Sequence, residues 1–242
     1  MITVISTTLN AKDLIKSTYE SVRSQKDAEF EYLVIDGESN DGSTELYDRW
    51  TRENDWFHYV SEKDRGIYDA MNKAVLYAHG DYFIFLGAGD TFVDEYTLNT
   101  ISEALADKPC DILYGYVYLW NIDGSKTAYV RKIDFNYALR ANPVCHQAIV
   151  AKKEMFKEKP FDVKYRYAAD QDWIMWAYKN KKKIRYIDVP FVNYDTNGTT
   201  AKAFDECHQE IREVHKKNYP LLHMMNTLFD KLYWKWQYLK SK

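Results

Sequence analysis

The chain has 242 residues, of which 46% are hydrophobic and 29% are charged, so we expect a folded protein and exclude a disordered one. The formal net charge of -3 gives no electrostatic reason to expect nucleic-acid binding. The three cysteines are far apart without metal-ligand spacing, which fits a reducing compartment. There is no signal-peptide pattern, and no apolar run approaches the roughly 18 residues of a spanning helix, so we expect a cytoplasmic protein.

Strand-like and helix-like segments alternate through the first half of the chain. Residues 66–78 form the clearest helix pattern, because their apolar positions recur at steps of three and one and so lie on one helical face. Such alternation predicts a parallel sheet with right-handed crossovers. The predicted strands are 2–7, 31–35, 57–61 and 81–86, and the predicted helices are 11–25, 44–54 and 66–78.

The pattern changes in the second half of the chain. Two strand-like segments, 112–120 and 126–131, flank a hairpin turn at 121–124, which predicts a mixed sheet. No Pro/Gly-rich linker interrupts the chain, so we predict one continuous domain. The remaining predicted elements are strands at 147–151 and 184–188, a loop beginning at Pro190, and helices at 170–180, 201–217 and 221–239.

Polar loops follow each predicted parallel strand, at 7–10, 36–43 and 61–66, and Asp90 follows the fourth strand after a Gly-Ala-Gly turn. Open α/β sheets bind ligands at the carboxyl ends of their strands, so these loops should converge on one site. A carboxylate there suits a divalent cation that holds a phosphate. The alternative is that Asp90 caps a following helix and that 36–43 is a polar turn before the next helix, with Asp41 or Ser43 as the N-cap of that helix.

Neither the Gly-x-Gly-x-x-Gly dinucleotide pattern nor a Walker A sequence follows the first strand. Four motifs in order instead resemble a family 2 glycosyltransferase of the GT-A fold over roughly residues 1–200. The likeness is greatest to small bacterial enzymes that build capsule, O-antigen or exopolysaccharide. The motifs are Val-Ile-Ser-Thr-Thr-Leu-Asn at 4–10, Val-Ile-Asp-Gly-Glu-Ser-Asn-Asp-Gly-Ser-Thr at 34–44, Asp-Arg-Gly-Ile-Tyr-Asp-Ala-Met-Asn-Lys-Ala at 64–74, and Phe-Leu-Gly-Ala-Gly-Asp at 85–90.

The resemblance implies an α/β fold of GT-A type: a Rossmann-like, mostly parallel sheet with helices on both faces, a mixed-sheet back half and C-terminal helices. It implies a nucleotide-sugar-binding half at 1–108 and an acceptor half at 109–200 within one domain at 1–220. The implied reaction transfers a sugar from a UDP- or GDP-sugar to an acceptor hydroxyl, usually with inversion, in the synthesis of bacterial surface polysaccharides.

The resemblance also assigns the donor site. Asp90 matches the last acid of the family's metal motif and would bind Mg²⁺ or Mn²⁺, with Ala88 in place of the first acid. Gly37 replaces the second acid of the motif that binds the base or ribose. The positions matched to nucleotide and donor binding are Thr8, Asn10, Asp36, Asp64 and Arg65.

Two further segments match the family's catalytic positions. Asp170, in 168–173, takes the place of the general base, which must accept the proton of the acceptor hydroxyl. Its alternative is a helix N-cap, and Asp172 beside it is expected to be structural. His146, in Cys-His-Gln at 145–147, is a candidate for steadying a leaving phosphate or an acceptor hydroxyl, or a structural histidine.

Residues 221–242 lie outside the resemblance and read as an amphipathic helix, with apolar residues at steps of three and four among lysines, tryptophans and tyrosines. Such a segment fits a lipid headgroup layer, so the protein is expected in the cytoplasm or at the inner face of the cytoplasmic membrane. The alternative is packing on the domain or in a homodimer. The resemblance implies that the acceptor is a saccharide or a lipid-linked saccharide.

Two other functions stay open from the residues alone. A nucleotidyltransferase that makes a nucleotide sugar also combines a nucleotide-binding half with a metal acid, but it normally has a Gly-rich basic loop after its first strand. A non-catalytic sugar- or nucleotide-binding module is the other, because acids are absent at Gly37 and Ala88.

Overall fold

The computed structural model describes residues 1–120, 125–129, 145–195 and 203–220. Within these ranges nine strands form one mixed sheet in the order β3-β2-β1-β4-β8-β6-β9-β5, with β7 paired to β6. The strands are β1 (Ile2–Thr8), β2 (Phe30–Asp36), β3 (Phe57–Ser61), β4 (Tyr82–Phe85), β5 (Thr91–Phe92), β6 (Ile112–Trp120), β7 (Lys126–Tyr129), β8 (Ile149–Lys152) and β9 (Ile184–Tyr194).

Helices cover both faces of this sheet, and each contributes its apolar stripe to one of two cores. Helices α3, α5, α6 and α7 pack on one face and α1, α2 and α4 on the other. The helices are α1 (Lys12–Arg23), α2 (Ser43–Glu53), α3 (Ile67–Tyr77), α4 (Thr97–Asp107), α5 (Lys153–Glu158), α6 (Ala169–Lys179) and α7 (Phe204–Asn218). The expected α/β architecture with helices on both faces is confirmed.

Aromatic side chains fill much of both cores. Tyr19 stacks on Trp50 with ring centroids 3.8 Å apart, and Phe156 stacks on Trp173 at 4.7 Å. Large aromatic rings bury more apolar area than other side chains, and stacked pairs add to that stabilisation. A good share of the high aromatic content therefore stabilises the fold.

The parallel strands are in a register that aligns their carboxyl ends. Thr8 of β1 lies opposite Asp36 of β2, and Asp36 lies opposite Ser61 of β3. The predicted parallel front half is confirmed, and the loops after β1, β2 and β3 leave the sheet at the same edge.

The back half of the sheet is mixed, as predicted. Strand β8 runs antiparallel between β4 and β6, while β9 runs parallel to β6 and antiparallel to β5. A short 3₁₀ turn, His146–Ala148, precedes β8, which starts two residues later than predicted. The hairpin turn predicted at 121–124 lies outside the described residues.

The predicted loop at Pro190 is wrong, because β9 continues through this proline to Tyr194. Proline cannot donate a ladder hydrogen bond and is tolerated at bulges. Pro190 pairs with Tyr116 at such an irregularity, since the register of β6 against β9 shifts on both sides of Tyr116. The helices α4 and α5 were also not predicted from the sequence.

No helix within the described ranges is long and apolar enough to cross a membrane. The amphipathic segment 221–242 lies outside those ranges, so its helix, membrane binding and dimer contacts stay predictions. The proposed division into donor and acceptor halves also stays a prediction.

Gly115 generates a test of this packing. A Cβ atom there would press on the carbonyl oxygen of Val189 and lie 2.8 Å from the Phe191 ring. Overpacking of a core costs about 1–3 kcal/mol, so Gly115→Ala should lower the free energy of unfolding by that amount in urea titrations. Leu76→Ala, at a side chain 78% exposed, is the control and should change it by under about 0.5 kcal/mol. Equal midpoints for the two variants would contradict the packing described here.

Candidate active site

A cleft of about 690 Å³ opens where β1 and β4 end, between the start of α1 and the residues that follow β9. Five of the predicted site residues line it, and three do not. The five are Thr8, Asn10, Asp64, Asp90 and His146, and the three that lie off its wall are Asp36, Arg65 and Asp170.

Asp36 lies beneath the cleft, fully buried at the end of β2. Its Oδ1 accepts hydrogen bonds from the hydroxyls of Thr8 at 3.2 Å and Ser39 at 2.5 Å. Its Oδ2 accepts from the Ser39 amide at 2.9 Å and the Ser61 hydroxyl at 2.8 Å. These bonds tie together β1, β3 and the loop after β2. A direct contact of Asp36 with a base or ribose stays a prediction. The observed contacts of Asp36 are those that hold β1, β3 and the loop after β2 together.

The loop after β2 is also bonded to the loop after β1. The Asn10 amide donates to Ser39 Oγ at 2.8 Å, and Asn10 Oδ1 accepts from the Asn40 amide at 2.9 Å. Asp41 accepts from the Ser43 amide and hydroxyl and from the Lys12 amide, so it links the starts of α2 and α1. The residue in the N-cap position of α2 is Gly42, so neither Asp41 nor Ser43, the two alternatives for this position, is the N-cap residue.

Asp64 occupies the space above Gly37. A Cβ atom at Gly37 would lie 2.7 Å from Asp64 Oδ2, so a larger residue there would displace this carboxylate. The other oxygen, Oδ1, accepts from the Gly66 amide at 2.8 Å. The Asp64 carboxylate on the cleft wall thus lies beside Gly37, which replaces the second acid of the family motif. Arg65 instead points outward, 76% exposed, and pairs with Asp69 at 2.9 Å.

Asp90 lies on the cleft wall and is only 4% exposed. Its Oδ1 accepts from the Asp195 amide at 2.9 Å and its Oδ2 from the Gly87 amide at 3.1 Å. Burial raises the pKa of the Asp90 carboxyl to about 6, although these amides and the charge of His146 lower it. The protein therefore holds an acid here whose ionised form is under-solvated, and a cation would relieve that cost.

Asp195 is a site residue that the sequence did not reveal. It follows β9, which was predicted to end well before it, and its Oδ2 lies 3.1 Å from where a Cβ of Gly89 would be. Asp195 lines the cleft together with Asp90. Recognising that β9 continues through Pro190 would have placed Asp195 at this edge.

The donor atoms on this wall fit a hard divalent cation. Carboxylate oxygens are the ligands that Mg²⁺ and Mn²⁺ prefer, and Gly87 and Gly89 leave room for the carboxylates of Asp90 and Asp195. Among the described residues no group of three or more His, Cys, Asp or Glu side chains forms a ready metal cage. A cation here would therefore depend on one or two carboxylates, with phosphate oxygens and water completing its shell.

His146 and Asp170 form a hydrogen-bonded pair. His146 Nδ1 lies 3.0 Å from Asp170 Oδ2, and only His146 of the two lines the cleft. Asp170 Oδ1 accepts from the Tyr68 hydroxyl at 2.9 Å and from the Gln171 amide at 2.8 Å. A carboxylate on Nδ1 makes that nitrogen the protonated one and leaves Nε2 as the accepting atom of the neutral ring.

The surroundings of Asp170 keep it ionised. Burial would raise its pKa, but the hydrogen bond and charge of His146, with the bonds from Tyr68 and Gln171, outweigh burial and hold the pKa below its usual value. Burial and the charge of Asp170 together raise the pKa of the Tyr68 hydroxyl, so Tyr68 stays a hydrogen-bond donor.

The N-cap alternative for Asp170 does not describe its contacts. Helix α6 begins at Ala169, its N-cap residue is Ala168, and no side chain caps it from that position. Asp172 behaves as the structural residue that was expected. It is 2% exposed and accepts from Lys217 Nζ and Asn218 Nδ2, both at 2.9 Å, which joins α6 to α7.

Comparisons with known proteins show which family and fold the chain shares. The sequence profile of "Glycosyl transferase family 2" matches residues 3–181. A "PGL/p-HBAD biosynthesis glycosyltransferase" of Mycobacterium bovis (strain BCG / Pasteur 1173P2) is 27% identical over 202 residues, which are 82% of this chain and 78% of the relative.

Two solved structures share the fold. The crystal structure of S. aureus TarS 1–349 in complex with UDP-GlcNAc has a TM-score of 0.69 at 18% identity and covers 90% of this chain and 67% of TarS 1–349. The mannosyltransferase PcManGT from Pyrobaculum calidifontis, in complex with GDP-Man and Mn²⁺, has a TM-score of 0.60 at 21% identity, covering 78% of this chain and 54% of that one. This chain spans only 39% of a longer TarS structure.

The profile match extends over most of the chain, and its matched residues include the three predicted donor loops and the acids Asp90 and Asp170. The nine-stranded sheet that carries them has the architecture of these GT-A structures. The chain therefore belongs to glycosyl transferase family 2 and is a glycosyltransferase of the GT-A fold.

Proposed function

We propose that this glycosyltransferase moves a sugar from a nucleoside diphosphate sugar to an acceptor hydroxyl, with inversion, in the synthesis of a bacterial surface polysaccharide. The observation that carries the proposal is that one cleft is lined both by Asp90 and by His146, which is bonded to Asp170. The first residue suits a cation and a diphosphate, and the pair suits proton transfer.

The donor nucleotide would lie at the β1 and β3 end of the cleft. Thr8, Asn10 and Asp64 line this end. An acidic oxygen such as Asp64 Oδ2 accepts hydrogen bonds from N–H groups on the edge of uracil or guanine, or from ribose hydroxyls. The two structural neighbours were solved with UDP-GlcNAc and with GDP-Man, which supports a UDP- or GDP-sugar as donor here.

Asp90 would hold Mg²⁺ or Mn²⁺, with Asp195 as the second carboxylate on the same wall. The cation would neutralise charge on the departing diphosphate. The presence of Mn²⁺ in one structural neighbour supports this choice of ion.

The reaction needs a group that removes the proton of the acceptor hydroxyl. As the acceptor oxygen forms a bond to the anomeric carbon, the bond from that carbon to the donor phosphate breaks, and the nucleoside diphosphate leaves with the bonding electrons. Asp170 is the predicted general base. Because His146 separates it from the cleft, we propose that the two act as a unit: the carboxylate fixes the imidazole and stabilises its charge when the proton arrives.

The acid at 90 gives the first activity test. Purified protein with a suitable acceptor and a panel of UDP- and GDP-sugars should release nucleoside diphosphate in a phosphatase-coupled assay. Asp90→Asn should lower turnover by about two orders of magnitude or more, because a cation contributes several kcal/mol of charge stabilisation. Unchanged far-UV circular dichroism is the control for folding. Wild-type turnover in the variant, or pyrophosphate release from nucleoside triphosphates instead, would refute the assignment.

The paired side chains give a second test. Asp170→Asn should retain donor affinity, measured by titration with nucleoside diphosphate, and lose about 10²–10⁴-fold in turnover, which is what general-base catalysis supplies. His146→Gln should lose a similar factor, and the double variant should lose little more than either, since residues that act as a unit are not additive. Full activity in His146→Gln would leave Asp170 as the base alone.

The proposed acceptor rests on the resemblance to the family, and the proposed location rests on the tail at 221–242. We propose a saccharide or lipid-linked saccharide acceptor and reversible membrane attachment through 221–242, whose lysines each contribute about 1 kcal/mol near anionic lipids. Full-length protein should sediment with anionic liposomes at low salt, and deletion of 221–242 should abolish this while donor turnover persists. If deletion instead dissociates a dimer or unfolds the domain, the tail is a protein contact.

A further inference from the structure

Helix α7 lies against the segment that carries Asp170, although α7 begins after the last residue matched by the family profile, at 181. We infer that Glu210 of α7 is a positioning residue that sets the backbone of the Asp170 segment for proton transfer. This inference rests on the proposed function of Asp170 and His146, and it adds a residue from outside the matched region.

Glu210 accepts three backbone hydrogen bonds from consecutive residues. Its Oε1 accepts from the Arg166 amide at 2.9 Å, and its Oε2 accepts from the amides of Tyr167 at 2.7 Å and Ala168 at 3.1 Å. Charge-assisted hydrogen bonds of this kind are stronger than those between neutral groups. One carboxylate therefore fixes the three peptide units that lead into α6.

One of these bonds satisfies an amide at the N-terminus of α6, that of the N-cap residue Ala168. The amides at the start of a helix have no partner within the helix, and a side chain in the N-cap position usually binds one of them. Ala168 holds the N-cap position of α6 and has no side-chain oxygen, and the Gln171 amide in the first turn is bound by Asp170 Oδ1 instead. The carboxylate of Glu210 lies beside this terminus, where its negative charge also interacts favourably with the helix dipole.

Helix α7 holds the residues after Asp170 as well as those before it. His215 Nε2 lies 2.7 Å from Gln171 Nε2, and Lys217 Nζ donates to Asp172 Oδ2 at 2.9 Å. Asp170 lies between these two sets of contacts, and its own carboxylate bonds Tyr68 and His146. The position of the Asp170 carboxylate relative to the His146 imidazole therefore depends on a backbone that α7 contacts both before and after Asp170.

Loss of Glu210 is expected to lower turnover without lowering donor affinity. Glu210 does not line the cleft, and its hydrogen bonds go to the backbone of 166–168 and not to the donor loops that follow β1 and β3. Loss of Glu210 should therefore shift Asp170 and His146 without altering the nucleotide end. Misplacement of a catalytic group by about 1 Å costs roughly a hundredfold in rate.

The experiment compares Glu210→Ala and Glu210→Gln with Glu213→Ala, an exposed carboxylate on the same helix. We expect turnover to fall by about ten- to a hundredfold in Glu210→Ala and by less in Glu210→Gln, which keeps one acceptor oxygen. The donor Michaelis constant and nucleoside diphosphate affinity should match those of Glu213→Ala. Hydrogen exchange should accelerate in 166–172 and stay unchanged in the donor loops.

Turnover in Glu210→Ala equal to that in Glu213→Ala overturns the inference, as does a loss of donor affinity that parallels the loss of turnover. If Glu210→Ala does not fold, Glu210→Gln decides by the same criteria. A wild-type protein without transferase activity would refute the proposed function. The exchange measurement would still show whether Glu210 fixes the segment, so the two failures are distinguishable.

Discussion

The buried carboxylate of Asp36 is the contact on which the donor side of the site depends. A charge removed from water is costly unless hydrogen bonds replace its hydration, and Asp36 receives four of them from Thr8, Ser39 and Ser61. Those partners belong to β1, β3 and the loop between β2 and α2. The bonds that satisfy the buried acid therefore also fix the cleft wall that Thr8 and Asn10 form.

Asp90 and Asp170 show how local environment shifts the pKa values of identical side chains in opposite directions. Burial raises the pKa of the Asp90 carboxyl to about 6, because the hydrogen bonds from Asp195, Gly87 and Gln147 and the charge of His146 offset burial only in part. Asp170 is just as buried, but His146, Tyr68 and Gln171 supply enough favourable contacts to hold its pKa below the usual value. Opposed shifts of this kind assign different tasks to groups of one chemical type. Asp90 suits a cation that compensates its charge, whereas Asp170 stays ionised beside an imidazole.

The sequence predicted most of the fold because local patterns determine it. The helical spacing in 66–78 and the apolar runs of β1 to β4 give the parallel half, and chain order alone brings its loops to one edge. The extension of β9 past Pro190 was not predictable locally, since a register shift against β6 accommodates the proline. The burial of Asp36 and the pairing of His146 with Asp170 depend on tertiary contacts between distant segments, which no local pattern encodes.

The long sequence separation between bonded residues of the site has a consequence for how the enzyme folds during synthesis. The candidate site joins residues far apart along the chain: Tyr68 bonds Asp170 across 102 residues, and Asp90 bonds Asp195 across 105. Contacts of such high sequence separation form late in folding, because the intervening loop must lose its entropy first. A nascent chain that has emerged only through β4 contains Tyr68 and the segments of the donor loops, but it still lacks Asp90, Asp170 and Asp195. Catalytic competence should therefore arise only after most of the polypeptide has left the ribosome.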